Sequence, residues 1–305
     1  MSKYGSRVVK VAQPDDTYFE IVAPGQWTVP MVFNSPHSGN ILPKSFLETS
    51  RLSPNALHAS EDSHVDDLFM GCLAAGAPLM RALISRSFID LNREPYEFDA
   101  RMFKDVLPAH MNTTSSRVAC GLGTIPKTVG EGVNIYDGPL ELPEALQRID
   151  SIYRPYHRTL SALLDEAHRA TGIILLVDCH SMPSSSVTKH PSHGQIDVVL
   201  GDRFGNACDK NIVEAAAFLL RGAGLNLALN KPYAGGFITE NHGRPRQGRH
   251  ALQIEINRAL YMNETTRRPT ANYQAFKVLL DRLAMCFAEI VGNFGDVTTV
   301  QLAAE

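Results

Sequence analysis

Three short stretches carry residue types that can do chemistry, and two of them close apolar runs. Asn34-Ser35-Pro36-His37-Ser38-Gly39-Asn40 follows a run ending at Phe33, and Asp178-Cys179-His180-Ser181 closes Ile173–Val177, the most strand-like run in the chain. Open α/β sheets bind ligands at the carboxyl ends of their strands, and packing does not explain a polar Asp-Cys-His-Ser terminus on a buried strand. His37 and His180 would give Zn2+, or another divalent transition metal, two neutral nitrogen ligands. One ion per chain is expected, with a third protein ligand and a position open to water. The third ligand should be a carboxylate, and its best source is Glu61-Asp62-Ser63-His64, at the start of a helix. Asp62 is preferred, with Glu61 and His64 as alternates; acids at that position also complement a helix dipole.

The third stretch is His250–Arg258, HALQIEINR, which alternates cleanly: His250, Leu252, Ile254 and Ile256 point one way, Ala251, Gln253, Glu255 and Asn257 the other. A carboxylate in mid-strand faces either solvent or a polar cleft. If that cleft holds an activated water, Glu255 is placed to act as general base. Asp90-Leu91-Asn92-Arg93 could present a fork to a carboxylate, Arg93 bidentately and Asn92 through its amide; an ion pair with Glu94 or Glu97 is the competing use of that arginine. Tyr233–Pro245, YAGGFITENHGRP, has the glycines and polar groups of a flexible substrate-binding loop, with Tyr233 and Gly236 as candidate contacts. Two patterns carry less. Gly121, Gly123 and Gly130 lack the strand and helix of a phosphate loop, and Cys179 should not pair with His180, because adjacent strand residues point to opposite faces.

The elements that must position these groups read as an α/β fold, short apolar runs alternating with amphipathic stretches. Strands are expected over Tyr18–Val22, Pro30–Phe33, Leu79–Ile84, Ile173–Asp178, Ile196–Leu200, Leu225–Leu229 and His250–Asn257. The doubly apolar run IILLV belongs in the centre of the sheet, covered on both faces. Periodicity predicts a helix from Ser63 to Ala75, with Ser63 and Asp66 as a capping box. Others are expected over Pro143–Ala170 with a kink at Pro155, about Asn206–Arg221, and about Ala271–Val291. The segments Pro108–Pro139 and Ser181–Gln195 are long, rich in small polar residues, and placed near the active site.

Composition narrows the partners. The chain has 305 residues, 44% hydrophobic and 20% charged, with a formal net charge of −3. No repeat or linker divides it, so a single domain over residues 1–305 is expected. The charge balance gives no reason to bind nucleic acid or an anionic membrane. No apolar run approaches a membrane span, and the first residues, MSKYGSRVVKVAQPDD, lack the apolar stretch of a signal peptide. A cytoplasmic protein acting on a small molecule is expected, its oligomeric state left open. Five scattered cysteines without a C-x-x-C pair read as reduced thiols.

Taken together, the blocks resemble the N-formylglutamate amidohydrolase family, enzymes of histidine breakdown that release formate from N-formyl-L-glutamate. The resemblance runs from Asn34–Gly39 through Glu61-Asp62 and Asp66–Phe69, Ile89–Pro95 with Asp99 and Met102-Phe103, Asp178–Ser184, to Gly243–Met262. It implies a fold similar to that of the zinc carboxypeptidases, phosphorylase/hydrolase-like, with a mixed, mostly parallel sheet between helices. On that likeness His37-Ser38 resembles the first metal-binding histidine, His180-Ser181 the last, Asp90–Arg93 the carboxylate-binding segment and Glu255 the catalytic glutamate. The acidic ligand that pattern carries three residues after its first histidine is here Asn40, a departure at the third ligand. The implied reaction is metal-assisted amide hydrolysis with Glu255 moving the water proton to the departing amine. Asn92 and Arg93 would anchor one carboxylate, and Arg86, Arg101 or Arg244 the second. A related metallo-deacylase or carboxypeptidase acting on another N-acyl acidic amino acid is the alternative enzyme. A non-catalytic carboxylate-binding protein of the same fold is the alternative of another class, though a binder has no use for a base such as Glu255.

Overall fold

The apolar run at Ile173 grows into a nine-residue strand, Ile174–Met182, buried along its whole length. The computed structural model describes residues 7–9, 18–130, 132–187 and 194–302. The N-terminal stretch read for a signal peptide, strand residues 7–9 apart, and residues 188–193 of the Ser181–Gln195 segment lie outside them. One mixed sheet has eight strands: β1 Arg7–Val9, β2 Phe19–Ala23, β3 Met31–Ser35, β4 Leu79–Ala82, β5 Ile174–Met182, β6 Val198–Gly201, β7 Leu227–Leu229 and β8 Arg249–Asn257. Their order is β1-β2-β4-β3-β5-β8-β6-β7, and the block β4-β3-β5-β8 is parallel throughout. Short edge strands and a buried centre follow from sequence: only β5 is apolar on both faces over a long run.

Alternation divides β5 between two layers. Leu175, Val177 and Cys179 join Met31, Phe33, Leu252 and Ile254 against Ile212, Ala216, Leu280, Leu283 and Phe287 of the helices Lys210–Gly222 and Tyr273–Leu302. Ile174 and Leu176 face the other way, with Val32 and Ala251, against Tyr156, Leu160 and Leu164 of the helix Arg154–Thr171. On that second face the apolar series stops at Leu176. The next two residues on it are Asp178 and His180, so the same alternation that builds the core delivers polar groups at the strand's carboxyl end. Among the described residues no helix is long and apolar enough to cross a membrane.

Two expected helices differ from the reading of the sequence. Pro143–Ala170 becomes Leu142–Arg148, one π turn at Ile149–Tyr153, and Arg154–Thr171, ending on Gly172 at φ 75°. Pro155 has no N–H and would crowd the carbonyl four residues back, and the wider turn just before it accommodates this. Ser63–Ala75 shrinks to Val65–Leu68 followed by a 3₁₀ turn at Met70–Leu73, and the capping box does not form. His64 at the amino end adopts a left-handed conformation at φ 69° with no side-chain cap. Asp66 is drawn away to Arg81, while the Ser63 carbonyl accepts from Tyr261 Oη. Gly71 lies where the long C-terminal helix approaches: a Cβ there would lie 2.0 Å from Asp281 Oδ1.

Candidate metal centre and its cavity

His37 follows β3 by two residues, Asp62 precedes the Val65–Leu68 helix, and His180 lies on β5. A backbone hydrogen bond from the Asp62 N–H to the His37 carbonyl, 3.0 Å, ties the first two loops together. The side chains converge: Asp62 Oδ2 is 3.1 Å from His180 Nδ1 and 3.5 Å from His37 Nδ1. All three are buried, and one donor atom from each falls within 4.8 Å of the others, a group able to hold a metal ion.

The outer partners decide which nitrogens are free. His37 Nε2 lies 2.7 Å from Asp90 Oδ1. Asp90 is held far below the usual carboxylate range because Arg86, Arg93 and His37 outweigh its burial, so it can only accept and Nε2 carries the proton. Its Nδ1 is buried without a hydrogen-bond partner. On the second histidine, Nε2 sits 3.2 Å from Asp178 Oδ2, again turning Nδ1 inward. Asp178 is itself fixed by Asn34 Nδ2 at 2.9 Å. A carboxylate behind each imidazole and an arginine behind the aspartate, Arg258 Nη2 to Asp62 Oδ1 at 2.9 Å, form the outer shell that orients metal ligands. Burial opposes charge on Asp62, but His180, His37 and Arg258 hold it well below the ordinary range. Burial likewise opposes charge on His180, yet Asp178 and Asp62 raise it well above the ordinary value. The negative field that would hold a proton there suits a divalent cation equally. The orphaned His37 nitrogen, two imidazoles and one ionised carboxylate fit a zinc-like ion with a coordination position to spare.

The two alternates for the third ligand are engaged elsewhere. Glu61 accepts from His58 at 2.7 Å and Ser85 at 2.6 Å, and His64 Nε2 meets the Arg267 carbonyl at 2.9 Å. Asn40 is exposed.

Parallel pairing of β8 with β5 sets Glu255 beside His180 and Gln253 beside Asp178 on one face. Glu255 is 7% exposed, and its Oε1 accepts from Gln253 Nε2 at 2.8 Å, while Gln253 Oε1 accepts from the Gly236 N–H at 2.7 Å. Burial pushes the Glu255 carboxyl up to about 7, helped by Asp62 and opposed by His180, Arg86 and Arg258. Cys179, paired with Ile254, points into the other layer, and burial drives its thiol far above the ordinary value.

These groups open onto a cavity of about 510 Å³ whose wall includes His37, Asp62, His180 and Glu255. Asn92, Arg93, Arg86, Tyr233 and Gly236 all line it. Asn92 is less available than its type suggests: Oδ1 accepts from the Ile238 N–H at 2.8 Å, and Nδ2 lies 3.1 Å from His180 Nε2. Arg93 donates from Nε to the Leu122 carbonyl and from Nη1 to that of Asn92, with Nη2 3.6 Å from Asp90. Arg86 Nη2 donates to Asp90 at 2.7 Å. Two expected contacts are absent from the cavity. Arg244 turns its Nη1 to the carbonyls of Glu240 and Gly243, and Arg101, its side chain 68% exposed, closes on Asp99. Arg117, Arg203, Arg258 and Gln253 line the wall without having been singled out from sequence. Arg258 and Gln253 fall within the HALQIEINR block, where the alternation that picked Glu255 picks Gln253 too. No local pattern marks Arg117 or Arg203.

The N-formylglutamate amidohydrolase family model matches residues 29–262. N-formylglutamate deformylase of Pseudomonas putida is 30% identical over 248 residues, 79% of this chain and 84% of that protein. The protein of the same name from Pseudomonas aeruginosa is 27% identical over 249 residues, 80% and 86% of the two chains. Among solved structures, N-formylglutamate amidohydrolase from Ralstonia eutropha JMP134 is 32% identical with a TM-score of 0.85, covering 90% of this chain and 99% of that one. A gene product of Agrobacterium tumefaciens, 19% identical with a TM-score of 0.63 over 90% and 96%, shares the fold.

Proposed function

The chain belongs to the N-formylglutamate amidohydrolase family, and we propose on that footing that it hydrolyses N-formyl-L-glutamate to formate and L-glutamate with one zinc-like ion per chain. The observation that carries the metal reading is the bare, buried His37 Nδ1 beside Asp62 and His180. When bound by those three side chains, such an ion supplies Lewis acidity, acidifying water and polarising the formyl oxygen. Everything else is done by the chain. Asp90 and Asp178 orient both imidazoles so that Nδ1 turns inward. Gln253 fixes Glu255, whose carboxyl near 7 is matched to taking a proton from water at Oε2 and returning it to the departing amine. Arg86 and Arg93 supply positive charge for the α-carboxylate near the reacting amide. We read residues 1–305 as one catalytic domain in the cytoplasm, with one sheet joining its first described strand to its last long one.

Metal analysis combined with formate release from N-formylglutamate, N-formylaspartate and N-succinylglutamate tests this reading. About one zinc-like ion per chain and a preference for formylglutamate are expected, with activity lost on chelation and regained with added metal. Turnover that survives complete chelation would overturn the metal role, and a preference for the succinyl compound would reassign the acyl group.

A further inference from the structure

The arginines of the cavity differ in how far their hydrogen-bonding capacity is already used. Arg86 donates to Asp90, Arg258 to Asp62 and Ser181, and Arg93 to two backbone carbonyls, while Arg203 pairs with Glu240 at 2.8 Å. Among the described residues, the Arg117 guanidinium makes no hydrogen bond. Its nearest carboxylate oxygen, Glu97 Oε2, stands 3.8 Å away. That oxygen has no hydrogen-bond partner, although Glu97 is only 2% exposed. Glu97 Oε1 is taken by the Ser115 hydroxyl, which also caps the helix Ser116–Ala119 that carries Arg117, accepting from the Val118 N–H at 3.1 Å. Glu97 thus restrains the guanidinium by charge while leaving its donors free, at the wall of the cavity.

We propose that Arg117 reads the γ-carboxylate of the substrate and so selects acidic N-acyl amino acids over neutral ones, an inference that rests on the formylglutamate reading. A dianion seated in the cavity calls for a cation beside each carboxylate, because a charge removed from water without a partner is disfavoured. Arg258, 2.9 Å from Asp62, is spent on Asp62 and Ser181, and the contacts of the others order them by what they reach among the metal ligands and their outer partners. Arg86 reaches both Asp62 and Asp90, Arg93 reaches only Asp90, and Arg117 reaches neither, although its charge is felt at Arg93. The α-carboxylate, attached to the carbon that bears the scissile nitrogen, belongs with the near pair. The γ-carboxylate, two methylenes further out, belongs with the far one. Its planar fork suits bidentate recognition of that group.

The test is a two-by-two comparison of wild type and Arg117→Gln on N-formyl-L-glutamate and N-formyl-L-glutamine, which differ only in the charge of the remote group. Wild type is expected to favour the acidic substrate, and Arg117→Gln to lower the ratio of the two kcat/KM values by about 10²-fold. Arg117→Lys, which keeps a cation beside Glu97 and so protects folding, should give an intermediate ratio. A ratio unchanged in both variants would overturn the proposal, as would one that survives Arg117→Gln but collapses in Arg203→Gln. The same cycle can be read from calorimetric binding of L-glutamate and L-glutamine to the zinc-loaded protein. An Arg117-dependent preference for glutamate in a protein that releases no formate would discard the hydrolysis reading and keep this contact.

Discussion

Glu255 is a carboxyl group whose surroundings cost it ionisation, and that cost should show in two independent measurements. As a base it works only when deprotonated, so kcat/KM of the enzyme should fall as pH drops through about 7, or through a lower value once a bound cation favours the carboxylate. Glu255→Gln should lower turnover by roughly 10²–10⁴ and abolish that acidic limb while metal content stays constant. Loss of metal in this variant would make Glu255 a ligand instead. Stability carries the opposite sign. Because the folded carboxyl binds its proton more tightly than the ordinary value of 4.5, the native state is penalised above pH 4.5, increasingly until about 7. Metal-free Glu255→Gln should therefore outlast metal-free wild type at pH 8 by up to about 3 kcal/mol in denaturant melts. The advantage should vanish near pH 4.5. His37→Ala removes the bare Nδ1 and should abolish metal retention with the fold intact, as read by metal analysis and circular dichroism.

At the scale of elements, the site depends on how closely its strands and loops approach. A Cβ at Gly236 would lie 2.4 Å from Asn92 Nδ2, and the Gly236 N–H holds Gln253 in place. Gly236→Ala should therefore push Asn92 against His180 and loosen Glu255 together, lowering kcat/KM by about 10²-fold, as expected for displacements near 1 Å. The unfolding free energy should fall by about 1–3 kcal/mol from overpacking. A fall in stability without a fall in kcat/KM would show the loop to be mere wall. What the sequence reveals of these elements follows from how local the cause is. The β5 run and the alternation of β8 are legible because apolar periodicity within one strand fixes which face each residue takes, and Asp178, His180, Gln253 and Glu255 sit on that face. The Ser63–Ala75 helix misleads because its interruption comes from elsewhere: Arg81 takes Asp66 and the C-terminal helix crowds Gly71. Arg101 and Arg244 are candidates by residue type alone, whereas Arg117 and Arg203 reach the cavity from segments distant in sequence. A guanidinium's direction depends on tertiary partners such as Glu97 and Glu240, which no spacing encodes.

Over the whole molecule, the three candidate ligands come from a loop after β3, the approach to a short helix and the centre of the sheet, so an ion there would cross-link parts of the chain 143 positions apart. Saturating metal should accordingly raise Tm by about 5–10 °C over the chelated protein, the effect of a ligand present at roughly a thousand times its Kd. His180→Ala should erase most of that difference. The cavity wall has a further property: among the described residues it presents five arginines against three carboxylates, with Glu97 and Glu240 behind two of the arginines, and a bound divalent cation would leave a net positive surplus. Such a surplus attracts anions before any specific contact forms, and mobile counter-ions screen that attraction beyond about 10 Å at 0.1 M salt. Raising sodium chloride from about 0.02 to about 0.5 M should thus slow productive encounter, depressing kcat/KM while leaving kcat nearly constant. Both reaction products are anions too, so the same surplus retains what the enzyme has made. Release of L-glutamate then competes with arrival of the next substrate, and sulfate or phosphate buffers become competitive inhibitors of a reaction in which they play no chemical part.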